Sequence, residues 1–273
     1  MRIGRILIFP IKSLDGIDLD EVAITRGGIL ENDRVYAIFD EQGRVVNGKR
    51  TARVHALRCE SDAGLNEVRL WENAGPVQFC LDAPVAINRW LSDFFGFPVS
   101  LKHDPVAGFA DDRSASGPTI VSEASLRRVR EWYPELTLES VRHRFRTNIE
   151  LIEGEPFCED LLCGPPEAPN PFWIGEVRFL GHNLCQRCVV PTRDPASGHA
   201  LSGFQKNFMA LREQELPRWD DAQHFNHYYR FAVNTSIPAG EAEKKLRIGD
   251  PVILAKDHKM AGLSINLKTE DQR

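Results

Sequence analysis

The chain has 273 residues and a formal net charge of -5; 42% of its residues are hydrophobic and 27% are charged. This balance indicates a soluble globular protein with a buried core, and it excludes a disordered chain. The acidic balance argues against nucleic acid as a partner, because phosphate binding needs a basic face. No apolar run approaches the roughly 18 residues of a membrane span. The first residues predict a short strand without a small-residue cleavage site, so we expect a cytoplasmic protein with no membrane partner.

The first eighty residues predict short strands at even spacing, separated by turn residues. Alternating apolar and polar residues place these strands at 5–9, 17–24, 33–40, 56–60, 67–71 and 76–80. Such spacing is typical of a β-rich barrel or sandwich. Lys12 and Ser13 fall in a turn after the first strand. For an isolated Lys-Ser pair, a solvated loop is the simpler interpretation.

Residues 83–96 interrupt this pattern and predict a helix. Asp82 is the expected N-cap, Pro84 lies in the first turn, and Gly96 is placed to end the helix. The following stretch, residues 103–118, is rich in Asp, Gly, Ser and Ala and has little periodicity. We interpret it as a linker and predict two domains, 1–110 and 111–273.

The second half begins with a predicted strand that leads into a helix capped by Ser122. Further along, Phe204 and Phe208 recur at helical spacing and predict a helix that packs on the core. Both features are interpreted as structural. A helix N-terminus can bind an anion, but an ordinary cap is the simpler interpretation for Ser122.

Three arginines occur at every second position in a segment that follows the helix capped by Ser122. If residues 142–152 form a strand, Arg142, Arg144 and Arg146 all project to one face. One interpretation is a solvated edge strand whose charges meet the abundant carboxylates. The other is a binding wall for a phosphate-bearing ligand, since arginine pairs with phosphate through two hydrogen bonds. The residues alone leave both interpretations open.

Two thiols flank an arginine in the segment Cys185-Gln-Arg-Cys188. A neighbouring cation such as Arg187 favours the thiolate, which is the form that acts as nucleophile and metal ligand. Soft thiolate sulfur suits thiophilic metals and redox chemistry. By contrast, Cys59 and Cys80 lie in apolar segments, and we expect both to be buried in the core.

The remaining cysteines allow a different metal site. Cys158 and Cys163 could join Cys185 and Cys188 in a four-thiolate zinc site. A redox-active disulfide between Cys185 and Cys188 is a weaker alternative, because the surrounding pattern lacks the βαβ context of such motifs.

Five short motifs together resemble the MOSC-domain family, which includes the C-terminal domain of molybdenum cofactor sulfurase and the amidoxime-reducing molybdoenzymes. The motifs are Arg144-Phe-Arg-Thr-Asn148, Glu159-Asp160, Ile174-Gly175, Cys185-Gln-Arg-Cys188 and Asp194-Pro-Ala-Ser-Gly198. The first hundred residues, with Phe9-Pro-Ile-Lys-Ser13 and Asn32-Asp-Arg34, resemble the N-terminal β-barrel domain of those enzymes. The resemblance implies a β-rich α+β fold, in which an N-terminal β-barrel-like domain precedes a MOSC β-barrel with peripheral helices.

The resemblance also implies the residues of a site for Mo-molybdopterin, the molybdenum cofactor. Cys188 would be the protein thiolate on molybdenum, and Asp194 would shape the following loop, with proton delivery as a further hypothesis for Asp194. The implied cofactor-binding residues are Lys12, Ser13, Arg34, Ser122, Arg144, Arg146, Asn148 and Arg187. Cys185 receives no role, and we expect a buried structural thiol there.

Two departures from the family pattern bear on function. Gln186 stands where some relatives carry serine, which puts one cofactor hydrogen bond in doubt. No ferredoxin cysteine pattern follows Cys188, so the electron donor would be a separate flavin, haem or iron–sulfur protein. The first hypothesis is therefore a molybdenum-cofactor reductase of small N-hydroxylated or N-oxygenated compounds. The alternatives are a carrier of the cofactor or of persulfide sulfur, and the zinc protein described above.

Overall fold

The computed structural model describes residues 1–62, 64–165, 168–220 and 225–255. The strands in the first half are β1 (Arg2–Ile8), β2 (Ile17–Leu19), β3 (Glu21–Ala23), β4 (Tyr36–Asp40), β5 (Arg58–Ser61), β6 (Glu67–Trp71), β7 (Val77–Cys80) and β8 (Val99–His103). Those in the second half are β9 (Ile120–Ser122), β10 (Ile149–Ile152), β11 (Asn170–Ile174), β12 (Val177–Gln186), β13 (Arg230–Ser236), β14 (Lys245–Arg247) and β15 (Val252–Leu254). The helices are α1 (Pro84–Phe95), α2 (Glu123–Trp132), α3 (Leu138–Phe145) and α4 (Phe204–Gln214). The β-rich α+β fold is confirmed.

The largest sheet joins the two halves of the sequence. In the described part of the chain it has eight strands in the order β15-β11-β12-β13-β9-β10-β1-β2. Strand β1 pairs antiparallel with β10, which in turn runs parallel to β9. The segment after β1 is therefore held against the second half of the chain. The predicted division at residue 110 stays a prediction.

Apolar side chains form three clusters around this sheet. One lies among the N-terminal strands and α1, one on the large sheet, and one among α2, α3, α4 and the strands beside them. Helix α4 packs inward as predicted, because Phe204 and Phe208 are buried. Cys59 is buried as expected, but the prediction for Cys80 was wrong, because β7 turns Phe79 inward and leaves Cys80 exposed.

Helix α1 also confirms most of its sequence prediction. It begins at Pro84 and ends at Gly96, whose φ of 77° is the left-handed conformation that glycine adopts readily. Asp82 is not the N-cap, because it lies one residue too early. Ala83 occupies that position and supplies no side-chain cap.

The predicted strand that carries three arginines was wrong, because residues 138–145 form helix α3. The hydroxyl of Thr137 caps the helix by accepting from the Ser140 amide. Residues two apart on a helix point in different directions, which separates Arg142 from Arg144, and Arg146 follows the helix as its C-cap. Arg142 turns outward to Glu150, with Nε 2.9 Å from Oε2, whereas Arg144 and Arg146 turn into a cavity.

A buried polar network anchors the start of α2. Ser122 is the N-cap, as predicted, and its fully buried hydroxyl accepts from the Ser125 amide at 3.0 Å. Ser125 Oγ donates to Glu159 Oε2 at 2.8 Å. Burial raises the pKa of Glu159 above its ordinary value of 4.5. Glu159 is therefore a carboxyl group that the fold favours in its neutral form.

Replacing Glu159 with glutamine should stabilise the protein at high pH and change little near pH 4.5. A carboxyl group whose pKa is raised in the folded state contributes stability below its unfolded pKa, and this contribution is lost as pH rises toward the folded pKa. Glutamine stays neutral, so the difference in unfolding free energy between variant and wild type should grow with pH. Urea unfolding at several pH values measures it, with exposed Glu213→Gln as the control. A difference independent of pH would contradict the prediction.

Candidate functional site

A cavity of about 820 Å³ is lined by residues from both halves of the chain. Among the described residues, nine lysines or arginines but only four aspartates line it. The cations are Arg5, Lys12, Arg34, Lys49, Arg144, Arg146, Arg187, Arg193 and Arg230, and the carboxylates are Asp15, Asp18, Asp111 and Asp112. The protein as a whole is acidic, so this cavity is a local region of positive charge. Such a region attracts an anionic ligand.

Lys12 and Ser13 belong to this wall rather than to a solvated loop, so the simpler interpretation from the sequence was wrong. Lys12 is buried because its segment runs beside β4, where its amide donates to the carbonyl of Tyr36 at 2.8 Å. Its Nζ donates to the carbonyl of Phe109 at 2.6 Å and lies 2.9 Å from Asp111 Oδ1. Burial lowers the pKa of Lys12, and the carboxylate of Asp111 partly offsets that effect.

Arg34 is fixed from two sides. Its Nε donates to Asp33 Oδ2 at 2.9 Å, and its Nη2 donates to Asn148 Oδ1 at 2.6 Å. Burial acts to lower the pKa of Arg34, but the carboxylates of Asp33 and Asp111 outweigh it and raise the pKa overall. Asn148 is fully buried and does not line the cavity, so it acts on the site by orienting Arg34.

Arg146 has the most unusual environment of the cations in the cavity. Its guanidinium carbon lies 4.1 Å from the ring centre of Phe9, and its Nη2 donates to the carbonyl of Leu14 at 2.6 Å. Burial lowers the pKa of Arg146 to about 10. No carboxylate in the described ranges forms an ion pair with it. A partly buried cation without a counterion is unfavourable, and a bound anion beside it would relieve that cost.

Three residues of the wall have a strained backbone. Ser13, Arg34 and Arg146 have φ values of 75°, 54° and 52°, in the left-handed region that residues with a Cβ rarely adopt. Each such residue costs on the order of 1–3 kcal/mol, and such residues cluster at ligand sites. The fold therefore holds these three cavity residues in place at a cost in stability.

Strand β12 forms the opposite wall, and two irregularities determine which side chains it presents. Its register against β13 shifts between Gly181 and Asn183 and again between Leu184 and Gln186. A regular strand alternates its side chains between faces, whereas such an irregularity re-aims them. As a result, the wall includes His182, Asn183, Cys185, Gln186, Arg187 and Cys188.

Both thiols of the motif line the cavity. The expectation of a buried Cys185 was therefore wrong, because the second irregularity turns it toward the cavity. Its sulfur lies 3.2 Å from Nη1 of Arg187, whose Nη2 donates to the carbonyl of Phe145. Cys188 Sγ accepts from the Val190 amide at 3.4 Å. Cys188 thus begins the turn that continues to Arg193.

Arg144 and Asp194 shape that turn from inside the protein. Arg144 Nη1 donates to the carbonyls of Pro191 and Arg193, at 3.0 and 2.6 Å. Asp194 Oδ1 accepts from the amide and the hydroxyl of Ser197, both at 2.9 Å. These bonds fit the loop-shaping role expected of Asp194, which does not itself line the cavity. Proton delivery by Asp194 stays a prediction, and Ser122 also lies outside the wall.

Replacing Arg144 with lysine should loosen the turn that carries Cys188. A lysine keeps the charge but lacks the planar guanidinium, whose Nε bonds Ser140 Oγ while its Nη1 reaches both carbonyls. Because Arg144 is 4% exposed, we expect a loss of about 1–3 kcal/mol in unfolding free energy. Urea unfolding measures the loss, and limited proteolysis should detect faster cleavage within residues 188–199. Unchanged stability and unchanged cleavage would contradict this role.

The four-cysteine zinc site gains no support from the geometry. Within the described ranges, no three His, Cys, Asp or Glu side chains come together as a metal ion would require. Cys158 is buried, and burial raises its pKa to about 12, which disfavours the thiolate form that zinc needs. Cys185 and Cys188 face the cavity instead.

Sequence reasoning missed Asp33 and Asp111, which hold the cations of the wall. Asp33 precedes Arg34 in the motif, and its Oδ1 accepts from the Phe9 amide at 2.8 Å. Asp111 falls in the segment interpreted as a linker. His55 and Arg193 also line the cavity without belonging to any motif identified in the sequence. Only the adjacent Asp33-Arg34 pair carried a signal that could have been used.

Comparison with known proteins places this architecture in a family. The MOSC domain model matches residues 111–252, and the model of the MOSC N-terminal beta barrel domain matches residues 1–70. The chain therefore belongs to the MOSC-domain family, which is associated with binding of the molybdenum cofactor.

Two curated relatives extend along nearly the whole chain. Mitochondrial amidoxime-reducing component 1 from Mus musculus is 23% identical over 292 residues, which cover 92% of this chain and 82% of the relative. The protein of the same name from Homo sapiens is also 23% identical, over 297 residues and with the same coverage. The two relatives indicate a role in reductive chemistry at the level of the family. Within the described ranges, no helix is long and apolar enough to cross a membrane.

Proposed function

We propose that this protein is a molybdenum-cofactor-dependent reductase of small N-hydroxylated or N-oxygenated compounds. The observation that carries the proposal is that Cys188 lines the same cavity as a cluster of buried and partly buried cations. The names of both relatives state amidoxime reduction, and this supports the proposal.

The residues of the cavity fit a phosphorylated pterin that binds its metal through sulfur. Arg146 is partly buried without a carboxylate partner, and Lys12 and Arg34 stand in the same wall, so an anionic phosphate would find its counterions there. Ser13 adds a hydroxyl at a strained position. Cys188 would supply the protein thiolate, because soft sulfur suits molybdenum. When bound, the cofactor would supply the redox chemistry at the N–O bond.

In this proposal, the chain's own residues bind the cofactor and position the groups that contact it. Asp33 and Asn148 hold the guanidinium of Arg34 toward the anion, and Arg144 holds the turn that presents Cys188. In the overall reaction, an N–OH group takes up two electrons and two protons and leaves an N–H group and one water. The electrons would come from a separate flavin, haem or iron–sulfur protein. A cytoplasmic location is retained as a prediction.

The test uses protein produced in a host that makes the molybdenum cofactor. We expect molybdenum close to one per chain by elemental analysis, and reduction of benzamidoxime to benzamidine with reduced viologen as the electron source. Molybdenum without turnover of any N-oxygenated compound would contradict the reductase and favour a carrier. Zinc in place of molybdenum would contradict both.

A further inference from the structure

Two asparagines face each other across the wall that leads to the thiols. Asn183 on β12 and Asn234 on β13 are direct partners in the strand register, and both line the cavity. Asn234 Nδ2 donates to Asn183 Oδ1 at 3.1 Å, and both side chains are partly buried. Asn183 stands two residues before Cys185 on the same strand, so the pair lies beside the segment that carries Cys188.

Each amide uses only part of its hydrogen-bonding capacity in this contact. A primary amide offers two N–H donors and an oxygen that accepts two bonds. After the mutual bond, Asn183 keeps its Nδ2 donors and Asn234 keeps its Oδ1 acceptor. Within the described residues, no other side-chain hydrogen bond involves either one. The pair therefore presents one donor and one acceptor side by side in the cavity wall.

The surroundings fix this pair in place. The register shift at His182 turns two consecutive side chains of β12 toward the cavity, and His182 Nε2 lies 2.7 Å from Ser236 Oγ on β13. Gly117 packs against β13 so closely that a Cβ there would come within 2.9 Å of the Thr235 carbonyl oxygen. These contacts hold the backbone of β12 and β13 on either side of the two asparagines.

This end of the cavity also differs in charge from the end that carries the phosphate-binding residues. Lys12, Arg34 and Arg146 lie with β1, α3 and the segments after them. Near the amide pair stands Asp112, whose carboxylate raises the pKa of His182 against the lowering effect of burial. Arg230 is also close, because its Nη1 donates to the carbonyl of Leu184 at 2.7 Å, so one cation and one carboxylate flank the pair. A donor and an acceptor between balanced charges suit a neutral polar group better than a second anion.

Resting on the proposed function, we infer that the Asn183–Asn234 pair recognises the –C(=N–OH)–NH2 group, in which a primary amine stands beside the N–OH nitrogen. Asn234 Oδ1 accepts from the amine, and Asn183 Nδ2 donates to the oxime nitrogen or oxygen. The favoured substrates are therefore N-hydroxylated amidines, guanidines and aminated bases. Simple oximes and N-oxides lack the amine, so they leave Asn234 Oδ1 without a hydrogen-bond partner. A site built to bind the amine therefore binds these compounds less tightly.

The experiment compares benzamidoxime with benzaldoxime, which carries hydrogen in place of the amine. Calorimetry on the molybdenum-containing protein should show benzamidoxime binding about tenfold more tightly, the effect of one well-placed hydrogen bond. Asn234→Leu should remove this preference. Asn183→Asp keeps the acceptor for Asn234 Nδ2 but lacks the free donor. It should therefore weaken the binding of both compounds and leave the ratio of their affinities unchanged.

Asn207→Asp on the exposed face of α4 is the control for added charge and should change neither affinity. The inference is overturned if Asn234→Leu, folded and with wild-type molybdenum content, keeps the preference for benzamidoxime. It is also overturned if the wild type binds both compounds equally. Because binding is measured without turnover, the proposed function can fail separately, when benzamidoxime binds with the expected preference but is not reduced.

Discussion

Cys188→Ser should abolish reduction of N-hydroxylated compounds and lower molybdenum retention. Serine oxygen is a harder and weaker ligand for a thiophilic metal than thiolate sulfur. Loss of a partner outside the ligand sphere already costs a metal site about 10–100-fold, so loss of the ligand itself should exceed about 100-fold in activity. Elemental analysis and benzamidoxime turnover measure the two effects. The fold should persist, because Cys188 is only partly buried and the change is small.

Cys185→Ser is the matched control, because it makes the same substitution in the same wall of the cavity. The serine hydroxyl can still accept from Arg187, which lies 3.2 Å from the sulfur of Cys185. We expect activity and molybdenum content near those of the wild type. If the serine at 185 rather than 188 abolished activity, the assignment of the ligand would be reversed.

Arg34→Gln should cause the second large loss, in both cofactor retention and stability. The variant removes a cation of the proposed phosphate site and leaves the buried carboxylate of Asp33 and the amide of Asn148 without their partner. Breaking a buried ion pair lowers the unfolding free energy by about 3–5 kcal/mol. Because Arg34 is partly exposed, we expect a loss of about 3 kcal/mol. Urea unfolding gives the stability, and elemental analysis gives the molybdenum content.

Two further variants separate charge from geometry. Arg34→Lys keeps the charge but loses the fork that bonds Asp33 and Asn148 together, so its molybdenum content should fall between wild type and Arg34→Gln. Arg69→Gln breaks an exposed pair with Glu60, where both side chains are about half exposed, and should cost less than about 1 kcal/mol. A loss of molybdenum in Arg69→Gln as large as in Arg34→Gln would contradict a specific role for Arg34.

The sequence predicted local structure well wherever a single residue decides it. Gly96 ends α1 because glycine adopts the left-handed conformation without strain, and Ser122 caps α2 because its hydroxyl accepts from a free amide. Phe204 and Phe208 marked the buried face of α4 through their helical spacing. In each case the deciding physics lies within a few residues along the chain.

The predictions failed where another local signal overrode alternation or where distant parts of the chain decide the outcome. Arg142, Arg144 and Arg146 fit a strand by alternation, but the cap at Thr137 starts a helix that turns Arg142 away from the other two. Cys185 was expected in the core, and an irregular register between β12 and β13 turns it into the cavity instead. Lys12 was expected in solvent, yet its ammonium group is buried against the carbonyl of Phe109, 97 residues further along the chain.

The candidate site was predicted mainly through the resemblance, and the structure brings only part of it together. The cavity wall contains Lys12, Ser13, Arg34, Arg144, Arg146, Arg187 and Cys188. Asn148 acts behind that wall, and Ser122 and Asp194 stand outside it. No local pattern could have predicted the amide pair of Asn183 and Asn234, because the two residues are 51 positions apart in the chain and meet only through the register of β12 and β13.

X-ray absorption at the molybdenum edge tests most directly whether Cys188 binds the metal. If Cys188 is the protein ligand, the wild type should show one more sulfur neighbour of molybdenum than Cys188→Ser, and Cys185→Ser should match the wild type. The same number of sulfur neighbours in the wild type and in Cys188→Ser, at equal molybdenum content, would contradict the account.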